Sequence, residues 1–174
     1  MNAHYSHLVE PLLELVRQAG AAIMHVYAED FEVSHKEDRS PLTAADMASN
    51  HLIVARLAEL EPKLPVLSEE SSDIPWQVRR AWRRYWLVDP LDGTREFINR
   101  NGEFTVNIAL VEDGEVALGV VYAPALDELH YGLRDVGAFV CDGPNRVPIS
   151  VRKPATPPLR VAASRSHLDL RSSA

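Results

Sequence analysis

Between residues 8 and 27, apolar side chains return every three or four positions: Leu8, Leu12, Leu15, Val16, Ala19, Ile23, Val26 and Tyr27. That spacing draws one apolar stripe down a helix. Gly20 weakens the helix and predicts the close approach of another backbone. A short strand is expected at residues 31–33, then a polar loop at 35–40 closed by Pro41. A second helix is predicted over 43–60, with Ile53, Val54, Leu57 and Leu60 on its buried side and Pro62 and Pro65 ending it. Val66-Leu67-Ser68 reads as a brief strand, and residues 74–84 as a helix that turns Trp82 inward.

Beyond residue 100 the pattern alternates. Strands are predicted over 104–111 and 116–123, joined through Glu112-Asp113-Gly114-Glu115, whose Asp-Gly pair is a strong hairpin signal. Residues 129–133, 138–141 and 147–151 extend the same antiparallel sheet. The predicted fold class is therefore α+β, two long helices packed on an antiparallel sheet over residues 1–153. Pro154, Pro157 and Pro158 mark a linker, and residues 159–162 read as a new buried strand. Residues 154–174 are expected to open an α/β domain that the chain does not complete.

Composition narrows the classes of function. With 174 residues, 46% of them hydrophobic, the chain can bury one good core. A net charge of -7 argues against a nucleic-acid polymer as partner. A small phosphorylated ligand stays compatible, because bound cations invert the local field. A single cysteine, Cys141, supplies neither a disulfide nor a thiolate zinc site and is expected to pack as a small apolar residue. The first ten residues lack signal-peptide character, and no apolar run approaches the ~20 residues of a membrane span. His25, His51 and the other histidines are scattered, and Trp76, Trp82 and Trp86 are assigned to the core.

The candidate chemistry sits in Tyr85-Trp86-Leu87-Val88-Asp89-Pro90-Leu91-Asp92-Gly93-Thr94. An apolar strand delivers Asp89 to its carboxyl end, and Pro90 keeps Asp89 out of the helical region. Asp89, Asp92 and the exposed carbonyl of Leu91 suit a hard cation such as magnesium. The amides of Gly93 and Thr94, opening a short helix through Ile98, are placed to hold a phosphate. Taken singly, Asp-Pro and Asp-Gly are ordinary turn chemistry; the whole string after a strand favours a site. Glu69-Glu70 follows the other brief strand and offers a third oxygen donor in Glu69. Thr43-Ala44-Ala45-Asp46 has capping-box spacing, so Asp46 can serve the helix start as well as chemistry.

Three strings carry a family resemblance: Ser40-Pro41-Leu42-Thr43-Ala44-Ala45-Asp46, Val66-Leu67-Ser68-Glu69-Glu70, and the Asp89 string. They resemble the inositol-monophosphatase superfamily of magnesium-dependent phosphatases. The continuation Arg95-Glu96-Phe97-Ile98-Asn99-Arg100-Asn101-Gly102-Glu103-Phe104-Thr105-Val106-Asn107-Ile108-Ala109-Leu110 resembles the CysQ-type branch of 3′(2′),5′-bisphosphate nucleotidases. The resemblance implies two or more magnesium ions held by Glu69, Asp89, the carbonyl of Leu91 and Asp92. It further implies phosphate contacts from Glu69 and from Leu91, Asp92, Gly93 and Thr94. Asp46, Glu69 and Thr94 would be the catalytic residues, with Thr94 and Asp46 activating the attacking water.

The implied reaction removes the 3′-phosphate of adenosine 3′,5′-bisphosphate, or of its 5′-phosphosulfate, in sulfur assimilation. The implied location is the cytoplasm or the cytoplasmic face of the inner membrane. The alternatives are an inositol or sugar phosphatase, and a binding fragment without catalysis. The family adds a metal-binding aspartate in a Trp-Asp motif that this sequence does not contain, so an incomplete site is expected.

Overall fold

The helical periodicity of the first sixty residues resolves into two long helices, α1 (Val9–Ala28) and α2 (Pro41–Leu60), packed on each other. These come from a computed structural model that describes residues 4–29, 41–70 and 74–154, with the backbone alone at 41–43. A 3-10 turn (Ser6–Leu8) leads into α1, whose Leu12, Val16, Ala19 and Ile23 are wholly buried. The α2 helix starts at Pro41, two residues before the expected Thr43. Proline suits a first helical position, where its missing N–H has no partner to lose. Asp46 consequently lies in the second turn, and the capping-box role expected of it does not hold.

The strands are β1 (Val66–Ser68), β2 (Arg84–Asp92), β3 (Thr105–Glu112), β4 (Glu115–Ala123), β5 (Glu128–Leu133), β6 (Gly137–Asp142) and β7 (Asn145–Ile149). They form one sheet in sequence order. Pairing is antiparallel throughout except that β1 runs parallel to β2, so the sheet is mixed rather than wholly antiparallel. The reason is the connection: the segment after Ser68 crosses over before β2 begins, as parallel neighbours require. The hairpin at Asp113-Gly114 forms as expected, with φ of 53° and 83°, the left-handed pair of a type I′ turn.

Alternation assigns the faces. Val106, Ile108 and Leu110 of β3 and Leu118, Val120 and Tyr122 of β4 are buried, with α1 packed on these strands and α2 on β2. The intervening Leu87 and Val121 remain 43% and 46% exposed. Among the described residues, the helices therefore cover one face of the sheet and leave the other open.

Three expectations change. The helix predicted over 74–84 shrinks to α3 (Trp76–Arg79). Pro75 sets its start, and Arg79, Arg80, Arg83 and Arg84 give it no apolar stripe to bury. Trp86 is buried, but Trp76 is 61% exposed with the Arg79 guanidinium 5.8 Å above its ring, and Trp82 packs on Tyr85. At Gly20 the close neighbour is a side chain rather than a backbone: a Cβ there would lie 2.5 Å from Cε1 of Tyr122. Cys141 is a buried free thiol, as expected. The strands expected at 31–33 and 159–162 and the loop at 35–40 lie outside the described residues. No helix among the described residues is long and apolar enough to cross a membrane.

Candidate functional site

Residues three apart on a regular strand point to opposite faces. Asp89 and Asp92 escape that rule because β2 bulges between them: Asp89 pairs with Asn107, whereas Asp92 pairs with Thr105. The extra residue on β2 breaks the alternation, and Pro90 and Leu91 are buried in succession. Both carboxylates thereby address one neighbour. Asn107 stands opposite Asp89 in register and donates from Nδ2 to Oδ2 of Asp92 at 3.2 Å.

The parallel pairing of β1 with β2 brings in the next donor. Ser68 pairs with Val88, and the amide of Glu69 donates to the Val88 carbonyl at 3.0 Å, so Glu69 follows beside Asp89. Burial pushes the Asp89 carboxyl up to about 7, helped by the charges of Glu69 and Asp92 and a hydrogen bond with Glu69; a hydrogen bond from the Leu91 amide opposes the shift. Asp46, on the buried side of α2, is likewise pushed up to about 7 by burial, then by Glu70, Asp89 and Glu69. Four carboxylates from α2, β1 and β2, with Glu70 as a fifth, thus feel one another in a partly dry setting.

Such crowding suits a hard cation. Oδ1 of Asp46, Oδ1 of Asp89 and Oδ1 of Asn107 are buried without a hydrogen-bond partner. These are oxygen donors of the kind that magnesium prefers. Among the described residues no three His, Cys, Asp or Glu side chains already close on a single point. The carboxyls pair off instead, Asp89 with Glu69 and Asp46 with Glu70.

After the bulge the chain turns through Gly93, at φ 92°, into α4 (Thr94–Ile98). A side chain at Gly93 would meet the Glu103 carbonyl at 3.0 Å, so both conformation and space call for glycine. Phe97 anchors α4 beneath Tyr27 and Phe104. Arg100 donates to the carbonyls of Tyr27 and Glu29 at the end of α1, which fixes this turn to the helical layer. A cavity of about 460 Å³ is lined by Asp92, Gly93, Thr94 and Thr105. A groove of about 610 Å³ on the open sheet face holds Glu69, Asp89 and Asn107, with Leu87 and Val121 beyond them.

The structure brings together Asp46, Glu69, Asp89 and Asp92, all expected from sequence, and sets Gly93 and Thr94 beside Asp92. The side chain of Leu91 is buried. Asn107 and Glu70 were not assigned a role from sequence. A polar residue between buried Val106 and Ile108 was the available signal for Asn107, but its partner depends on the register across the bulge.

A carboxylate cluster at strand ends thus lies beside a glycine turn that opens a short helix, on an α+β scaffold. The family profile of inositol monophosphatases matches residues 4–173, and the chain belongs to the inositol monophosphatase family. Within it, the chain is 52% identical over 164 residues to the 3′(2′),5′-bisphosphate nucleotidase CysQ of Salmonella typhimurium, covering 93% of this chain and 65% of that protein. It is 51% identical over 165 residues to the protein of the same name from Escherichia coli K12, with the same coverage. The crystal structure of CysQ from Bacteroides thetaiotaomicron superposes with a TM-score of 0.73 at 38% identity, over 92% of this chain and 63% of that one. The chain thus spans about two thirds of the length of these relatives.

Proposed function

We propose that this chain carries the metal- and phosphate-binding part of a magnesium-dependent nucleotidase, which hydrolyses the 3′-phosphate of adenosine 3′,5′-bisphosphate to leave AMP. The observation that supports this most is the β2 bulge, which turns Asp89 and Asp92 to one neighbour beside Glu69. The likeness to relatives named 3′(2′),5′-bisphosphate nucleotidase supports the nucleotide substrate.

Glu69, Asp89, the Leu91 carbonyl and Asp92 would hold two or more magnesium ions. Bound there, the ions would supply charge neutralisation and a more acidic water. The rest is the work of the chain's own groups. The amides of Gly93 and Thr94 receive phosphate oxygens at the turn, where Gly93 leaves the approach clear. Asp46, with Thr94, takes the proton of the attacking water, the part of a positioned carboxylate base. Phosphoryl transfer asks mainly for positioning and charge stabilisation, which rigid strand ends provide.

The test compares phosphate release from adenosine 3′,5′-bisphosphate and inositol 1-phosphate across a magnesium titration. It uses the chain alone and the chain joined to the part of the Salmonella relative that it does not match. We expect the joined protein to favour the nucleotide. Preference for inositol phosphate overturns the nucleotide assignment, and absence of release at every magnesium concentration overturns the hydrolase reading.

A further inference from the structure

One turn beyond Asp46, α2 reaches into the sheet with two polar side chains. Ser49, wholly buried, donates from Oγ to the carbonyl of Pro90 at 2.9 Å. Asn50, 8% exposed, accepts at Oδ1 from the hydroxyl of Ser68 at 2.7 Å. The Ser68 Oγ in turn accepts the amide of Glu70 at 3.3 Å. Positions 46, 49 and 50 are related as i, i+3 and i+4 and share one helix face. Their partners are the two carboxylate-bearing strand ends: Pro90 lies between Asp89 and Asp92, and Ser68 immediately precedes Glu69.

The remaining fully buried anchors of α2 in the core, Ala45, Ile53 and Leu57, are apolar. Apolar packing is strong but non-directional and tolerates sliding. A buried hydrogen bond does not, because its energy falls steeply with distance and angle. We propose that Ser49, Asn50 and Ser68 are positioning residues that fix the strand ends bearing Glu69, Asp89 and Asp92 to the helix that carries Asp46. The two ties join one helical turn to both strands, so the distance from the helix carboxylate to the strand carboxylates is set by side-chain hydrogen bonds. The inference rests on the metal-site reading above and adds to it the groups that set its geometry.

The test uses the 174-residue chain titrated with manganese(II) alone, followed by electron paramagnetic resonance, with Tm measured in parallel. The variants are Ser49→Ala, Asn50→Ala, Ser68→Ala and the Asn50→Ala/Ser68→Ala pair. Tyr5→Phe is the control, since it removes a hydrogen bond to Glu112 of β3, which pairs with Arg84 at the end of β2 far from the carboxylates. We expect each single variant to bind manganese about 10- to 100-fold more weakly, the range for lost supporting hydrogen bonds around a metal site. The double variant should be no worse than the poorer single one. Tyr5→Phe should lower Tm and leave manganese affinity unchanged. Should an alanine variant fail to fold, Ser49→Cys fills the site with a slightly larger group while weakening the donor, and the same loss is expected. Variants that lose Tm but bind manganese like the parent overturn the proposal and make the ties structural only. A parent chain that takes up no manganese overturns the metal-site reading itself, and the positioning role with it.

Discussion

At the scale of single residues, Asp89 links stability to acidity. Its carboxyl, and that of Asp46, lie near 7 in the folded chain against 3.8 for an ordinary aspartate. Between those two values the folded protein keeps protons that the unfolded chain releases, so stability is greatest at the acid end and falls as pH rises through 7. Without metal, Tm should decline from pH 5 to pH 8, and magnesium should flatten the decline by replacing the protons. Asp89→Asn should raise Tm at pH 8 in the metal-free protein, by about 2–4 °C for each kcal/mol of relieved repulsion, and abolish the response to magnesium. Differential scanning fluorimetry with and without magnesium reads both effects; a Tm that rises with pH would contradict them. Asp89 and Asp92 were legible in the sequence because Asp-Pro and Asp-Gly announce themselves locally. Asn107 and Glu70 were not, since what they face is decided by pairing across strands.

At the scale of elements, α1 is held to the sheet through a notch. Gly20 lets the ring of Tyr122 and the Pro124 side chain sit against the helix, and a Cβ would stand 2.5 and 2.9 Å from them. Tyr122 cannot easily retreat, because its hydroxyl donates to Asp127. Alanine improves helix propensity by about 1 kcal/mol, but overpacking a tight core costs about 1–3 kcal/mol. Gly20→Ala should therefore lower stability on balance, measured as a smaller denaturation midpoint in urea at unchanged slope. The elements that the sequence made plain are those specified locally: the stripe of α1, and the β3–β4 hairpin with its Asp-Gly turn. The direction of β1 and the brevity of α3 were not, because one depends on a crossover and the other on the lack of anything to bury. The capping-box pattern at Thr43 misled for a related reason, since Pro41 offers an earlier start that the spacing did not weigh.

At the scale of the whole molecule, one sheet face is packed and the other is open. Leu87 and Val121 stand exposed on a groove that runs to the carboxylates. Exposed contiguous apolar surface promotes association. Val121→Thr preserves shape and β-branching while adding a hydroxyl, so it should reduce dye binding and light scattering with little loss of Tm. Unchanged scattering would show that this face does not govern association. The fold class was legible because helical and alternating apolar spacings are set locally, and the family because three separated strings resemble its pattern. Which apolar residues would be left bare could not be read from strands such as β4, whose Val116 and Val121 are as apolar as their buried neighbours.

The strand order has a consequence for assembly. Each antiparallel strand needs only the hairpin before it, so β2 through β7 can zip together from nearest neighbours. The parallel seam between β1 and β2 is the exception in kind, since its partners stand 20 residues apart and no tight turn closes it. Glu69 rides on that seam. Part of the acidic constellation thus depends on a pairing between distant segments, which local turn chemistry alone does not secure.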